Sequence, residues 1–134
     1  MSNWIKRRVS VIDYEKTIFE LIAKIPKEKY DVVHGIPRGG LIVAAYISYQ
    51  LDMEIMVEYG LHIPKERVLV VDDLVDTGIT LEPFVEAGYD TATLFRKQRG
   101  SVQPTYCVNN DINNKYWILF PYEREDEPIN RELE

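Results

Sequence analysis

Two periods of apolar and polar residues alternate along this chain, and the switches between them lay out its elements. From Ile12 to Ile25 the apolar positions Tyr14, Ile18, Leu21, Ile22 and Ile25 recur at spacings of three and four, which predicts a helix with one buried stripe. Pro26 stops it, and Lys24 falls in the last turn, where a cation suits the carbonyl end. Asp31 to Ile36 is short and rich in β-branched residues and reads as a strand. After Pro37-Arg38-Gly39-Gly40 comes an apolar helix from about Leu41 to Tyr49, whose Ala44 and Ala45 suit tight packing on a sheet. Tyr46 and Tyr49 point to the surface or a partner subunit. Met53 to Val57 predicts a second strand. Val68 to Val71 is continuously aliphatic, the pattern of a strand covered on both faces in a parallel sheet. A helix over Leu81 to Ala87 follows, with Thr80 as its N-cap and Pro83 in its first turn, where a missing N–H does little harm. Thr91 to Phe95 and the aromatic segment Tyr116 to Tyr122 complete the strands. Trp4 and Ile5 are placed to anchor the N-terminus against the body.

Strands alternating with helices predict an α/β domain with a mostly parallel sheet and helices on both faces. A chain of 134 residues suits one such domain and one core. No apolar run is long enough to cross a bilayer, and the N-terminus, with Lys6, Arg7 and Arg8, lacks the apolar stretch of a signal peptide. A cytoplasmic location is the expectation. The single cysteine, Cys107, excludes an internal disulfide and a thiolate metal cluster and reads as a small buried residue. His34 belongs to a strand and His62 to a loop, and their spacing makes no metal pair. The net charge of −6 disfavours a nucleic-acid surface. Most of it comes from the segment 123–134, whose six acidic and two basic residues read as a solvated acidic tail after a domain spanning 1–122. The body is left near neutral, which permits a local positive pocket.

The chemistry concentrates between Val68 and Thr80. A buried strand ends in two adjacent carboxylates, Asp72 and Asp73, and Val75-Asp76-Thr77-Gly78-Ile79-Thr80 leads into a helix. Backbone N–H groups from Asp76 to Thr80, the hydroxyls of Thr77 and Thr80 and the helix terminus form a cradle suited to a phosphate dianion. Gly78 allows the bend and leaves room for the phosphate. The paired carboxylates can accept hydrogen bonds from ribose hydroxyls, directly or through hydrated Mg²⁺. Arg38, Gly39 and Gly40 sit at the carboxyl end of another strand, where α/β proteins bind ligands, and Arg38 can add a charge-assisted contact.

The string Val70-Val71-Asp72-Asp73-Leu74-Val75-Asp76-Thr77-Gly78-Ile79-Thr80 resembles the phosphoribosyl pyrophosphate motif of the type I phosphoribosyltransferases, in wording most like the bacterial 6-oxopurine (xanthine-guanine) branch. The resemblance implies that Asp72 and Asp73 hold the ribose hydroxyls, with Asp73 also the Mg²⁺ contact. It implies that Asp76, Thr77, Gly78, Ile79 and Thr80 hold the 5′-phosphate, and that Asp76 also approaches N7 of the base as a proton acceptor. Arg38 and Gly39 match a loop that contacts pyrophosphate, where the family often has a non-proline cis peptide. Lys97 matches the lysine that meets the oxygen at C6 of the base, and Trp117 the aromatic residue that stacks on it. A surface lysine is the alternative for Lys97, and core packing or a subunit interface the alternative for Trp117. The implied partners are phosphoribosyl pyrophosphate and a purine base, with Mg²⁺, in a homodimer or homotetramer.

One departure stands out. The family usually has a flexible loop of a dozen or more residues before the motif strand, whereas Glu58 to Glu66 holds nine. A shorter cover exposes a carbocation-like ribosyl centre to water. Tyr59, His62, Lys65 or a neighbouring subunit can supply part of that cover. Two other readings therefore stay open: a protein of the same fold that binds phosphoribosyl pyrophosphate or a nucleotide without turnover, and a transferase acting on a pyrimidine.

Overall fold

The structure, a computed structural model, describes residues 4–56 and 63–124. The first helix, α1 (Val11–Lys24), opens on Ser10, whose side chain accepts from the Asp13 N–H at 3.0 Å, and buries Tyr14, Ile18 and Leu21 as the periodicity predicts. Burial of Ile18 and Leu21, both at 0% exposure, contributes about 1.5–3 kcal/mol each. Strand β2 (Val32–Gly35) leads through the 37–38 turn into α2 (Gly39–Leu51), and β3 (Glu54–Ile55) follows. The second strand expected at Met53 to Val57 is thus shorter among the described residues; Val57, Tyr59, His62 and most of the 58–66 loop lie outside them.

A 3-10 turn at Lys65–Arg67 enters β4 (Val68–Val75). This strand runs past the aliphatic residues and carries Asp72 and Asp73 within it, so the carboxylates are held by sheet geometry rather than by the loop. Helix α3 spans only Glu82–Glu86, and its cap is Leu81 rather than Thr80. The Glu82 N–H already bonds the Gly78 carbonyl at 2.9 Å, which closes the turn without a threonine side chain. Pro83 does sit in the first turn. Strand β5 (Asp90–Lys97) is longer than its β-branched centre, and Lys97 lies in the strand instead of beyond it.

Strand β6 (Tyr106–Ile112) has no counterpart in the sequence reading, because Asn109, Asn110 and Asp111 give it the composition of a loop. As the edge strand of the sheet it tolerates that polarity. Cys107, expected to be buried, is half-buried on this edge, and desolvation raises its thiol pKa.

Five strands in the order β3-β2-β4-β5-β6 form one sheet, every pair parallel. Side chains alternate across it. Val33, Leu69 and Val71 pack with α1 and α2, while Val32, Val68 and Val70 pack with Leu81 and, from α3, Phe84 and Val85. Helices therefore cover both faces. The aromatic segment joins no part of this sheet. It forms β7 (Tyr116–Leu119), paired in parallel with the charged N-terminal strand β1 (Ile5–Arg8). Among the described residues no helix is long and apolar enough to cross a membrane.

Gly40 sits where α2 comes closest to β4. A Cβ there would meet the Val71 carbonyl oxygen at 2.5 Å and the Asp72 Cα at 3.1 Å, both backbone atoms. Gly40→Ala should lower stability by about 1–3 kcal/mol through overpacking. Urea unfolding measures it, and an unchanged midpoint would mean that the helix can lift from the strand.

Candidate functional site

The carboxyl ends of β2, β4 and β5 open on one cleft. It is lined by Arg38 and Gly39 from the turn after β2, Asp72 and Asp73 from β4, Asp76, Thr77, Gly78, Ile79 and Thr80 from the loop after β4, Lys97 from β5 and Trp117 from β7; Gly40, read together with Arg38 and Gly39, does not line it and packs on β4 instead. Residues from Arg38 to Lys97 are thus brought together by parallel strands whose ends must lie on the same side, and Trp117 joins them from the separate β1–β7 pair.

The loop after β4 is shaped by its neighbours. Gly78 has φ +99°, a left-handed conformation that glycine adopts at no steric cost, and a Cβ there would fall on the Ser101 side chain. The Ser101 N–H bonds the Thr77 carbonyl at 2.9 Å, and the Thr77 hydroxyl accepts from the Ile79 N–H at 3.4 Å. Gly78 is buried, whereas Ile79 and Thr80 are exposed at the cleft mouth.

The two carboxylates of β4 are oriented differently. The Asp73 N–H donates to Asp72 Oδ1 at 2.8 Å. Asp73 itself is buried at 6% exposure and accepts a short hydrogen bond from the Tyr122 hydroxyl on Oδ2. Beside it the Pro37–Arg38 peptide is cis. A Cβ on Gly39 would strike the Asp73 carboxylate, so the turn can approach β4 only with glycine at that position. Arg38 is exposed over the cleft.

At the opposite end Lys97 is buried at 1% exposure, with its ammonium 3.4 Å from Asp76 Oδ1. It lies 4.3 Å from the centre of the Trp4 ring and 5.8 Å from that of Trp117, and Trp4 meets Trp117 edge-on at 5.7 Å. A desolvated ammonium is tolerable only with such compensation, here one carboxylate and two indole faces. Arg99 adds a second cation to the same Asp76 oxygen, with Nη2 at 2.6 Å, and rests over Trp4 at 5.3 Å. Lys97 is therefore not a surface lysine, and Trp117, at 9% exposure, is both packed and part of the cleft wall.

Four contributors escaped the sequence reading. Sequence marks Trp4 only as an anchor, gives Arg99 no motif, and groups Tyr122 with an aromatic strand and Glu123 with the tail. Glu123 instead lines the cleft, and its carboxylate accepts the Phe120 N–H at 2.9 Å. The pairing of β1 with β7, which brings Trp4 to Trp117, crosses more than a hundred residues and leaves no local signal. Among the described residues no three His, Cys, Asp or Glu side chains converge as a metal cage.

A parallel α/β sheet with a carboxylate pair and a glycine loop at its carboxyl end defines a nucleotide- or sugar-phosphate-binding class of protein. Comparison with known proteins narrows this. No protein-family model matches the chain. A purine phosphoribosyltransferase from Pyrococcus horikoshii, known from its crystal structure, superposes with a TM-score of 0.77 at 31% identity, over 92% of this chain and 97% of that one. The xanthine-guanine phosphoribosyltransferase of Idiomarina loihiensis is 29% identical over 75% of both chains. The Helicobacter pylori xanthine-guanine-hypoxanthine phosphoribosyltransferase shares the fold, with a TM-score of 0.73 at 20% identity over 87% of this chain and 91% of that one. The chain belongs to the type I phosphoribosyltransferase superfamily and is related to its 6-oxopurine members.

The Asp76–Lys97 pair yields a direct test of the site's electrostatics. Asp76→Asn should cost about 3 kcal/mol of stability, because it weakens the compensation of a buried ammonium. Adding Lys97→Met should recover most of that loss. Urea unfolding of the parent, the single variant and the double variant measures both changes, and a double variant less stable than the single one would contradict the assignment.

Proposed function

We propose that the protein transfers 5-phosphoribose from phosphoribosyl pyrophosphate to N9 of a 6-oxopurine, releasing pyrophosphate. The observation that carries this reading is the meeting, in one cleft, of the β4 carboxylates and phosphate loop with buried Lys97 and Trp117. The names of its relatives support the same class of substrate.

In this reading the 76–80 loop receives the 5′-phosphate on its backbone N–H groups, and Asp72 and Asp73 accept from the ribose hydroxyls. Arg38, with backbone N–H groups of its turn, faces the pyrophosphate and offsets charge as the glycosidic bond lengthens. The donor set suits Mg²⁺ held mainly by substrate oxygens and water, with Asp73 as the protein contact, since the described residues offer hard carboxylates without a cage of three. When bound, that ion would neutralise the leaving pyrophosphate.

The base would lie against Trp117, its 6-oxygen on the Lys97 ammonium, which favours oxopurines over adenine. Both cations meet Oδ1 of Asp76, which leaves Oδ2 as the acceptor for an N–H of the purine. Asp76 would orient the base and accept that proton, as the N9 lone pair bonds to the ribosyl carbon and the electron pair of the broken C–O bond leaves with pyrophosphate. A homodimer or homotetramer belongs to the same proposal, and Tyr49, 89% exposed on α2, marks a surface such an assembly can use.

A second reading, binding without turnover, rests on the nine residues from Glu58 to Glu66, too few for the usual cover. Pyrophosphate release with phosphoribosyl pyrophosphate and Mg²⁺, with guanine, xanthine, hypoxanthine or no base, separates the two. Base-dependent release is expected, falling by about 10²–10⁴ in Asp76→Asn once its folded fraction is matched by circular dichroism. Tight binding with no release across the panel would replace the transferase by a binding protein, and release with uracil or orotate alone would move the acceptor to a pyrimidine.

A further inference from the structure

We infer that Tyr122 is a positioning residue for the phosphoribosyl site, its hydroxyl fixing from behind the face that Asp73 turns to the ribose and its metal. The inference rests on the phosphoribosyl pyrophosphate reading above.

The hydroxyl is placed by several independent contacts. A turn over Pro121 and Tyr122 is closed in both directions, by the Glu123 N–H on the Phe120 carbonyl at 3.0 Å and by the Phe120 N–H on Glu123 Oε1 at 2.9 Å. The Tyr122 ring stacks on Phe120, with centres 5.5 Å apart and planes 3° from parallel, and Phe120 is itself buried at 2% exposure. Tyr14 of α1 meets the same ring edge-on at 5.8 Å. One side of Tyr122 remains exposed, but its hydroxyl is turned inward onto Asp73 Oδ2.

The direction of approach separates positioning from obstruction. Asp73 lines the cleft, whereas Tyr122 does not. A Cβ on Gly39 would touch both the Asp73 carboxylate and the Tyr122 hydroxyl, the latter at 2.7 Å, so the hydroxyl reaches Asp73 beside Gly39 at the cleft wall, from a residue outside the lining. With Oδ2 held there, Oδ1 is the oxygen Asp73 presents. Asp72 is oriented separately, by the backbone N–H of Asp73. Tyr14 supplies a matched control: it borders the same cluster at 6% exposure, and its hydroxyl makes no hydrogen bond.

Calorimetric titration with phosphoribosyl pyrophosphate over a range of Mg²⁺, and with inorganic phosphate, tests the role in the parent, Tyr122→Phe and Tyr14→Phe. Tyr122→Phe should weaken phosphoribosyl pyrophosphate by about tenfold and raise the half-saturating Mg²⁺, with phosphate affinity unchanged. Tyr14→Phe should bind as the parent does. Combining Tyr122→Phe with Asp73→Asn should add little to the loss from Asp73→Asn alone. A Tyr122→Phe protein with a lowered melting temperature but parental affinity, or with tighter binding, overturns the inference and makes the hydroxyl a packing group or a plug. A parent that binds phosphate but not phosphoribosyl pyrophosphate overturns the underlying reading instead, before any variant is compared.

Discussion

Strand β4 is the constraint on which the site depends. It is hydrogen-bonded on both edges, to β2 and β5, and covered on both faces by the two apolar clusters. Val68 to Val71 are each exposed by 1% or less, so the strand has no freedom to slide or to rotate a side chain outward. A one-residue slip would reverse the faces of all four. The position of Asp72 and Asp73 follows from that immobility. They begin where the aliphatic run ends, on the side of a parallel sheet where neighbouring strands also deliver their loops. The polar chemistry of the cleft is thus held in place by the apolar packing beneath it.

Charge is then distributed at two ends. At one, a buried carboxylate is satisfied by a tyrosine hydroxyl and a glycine turn presses against it. At the other, a buried ammonium is satisfied by a carboxylate and two indoles. Neither arrangement is the most economical way to stabilise a fold, since an apolar pair of equal volume would avoid the desolvation of both ions. Their value lies in fixed charges with known directions, as catalysis by electrostatic preorganisation requires. The flanking β1–β7 ribbon matters for the same reason, because it sets Trp4 over Lys97 and Arg99.

Much of this was legible in the sequence where the signal is local. The periodicity of α1, the aliphatic run of β4 and the string from Val70 to Thr80 each encode their structure in neighbouring residues, and the residues named from the string's resemblance line one cleft. What was missed depends on distant pairing. Strand β6 is polar because it is an edge, and β1 is charged because its side chains face water, so neither carries an apolar pattern. The cap at Thr80 failed because a backbone bond from Glu82 to Gly78 had already closed that turn. Arg99 and Tyr122 reach the site through an ion pair and a hydrogen bond to residues 23 and 49 positions away, which composition does not reveal.

The central claim, that one cleft holds a phosphoribosyl group and a purine together, is tested most directly by a crystal structure with guanosine 5′-monophosphate. The phosphate is expected on the backbone of residues 76–80, the ribose hydroxyls on Asp72 and Asp73, and the purine against Trp117 with its 6-oxygen on Lys97. A nucleotide bound outside this cleft, or one with its phosphate away from the 76–80 loop, would contradict the account.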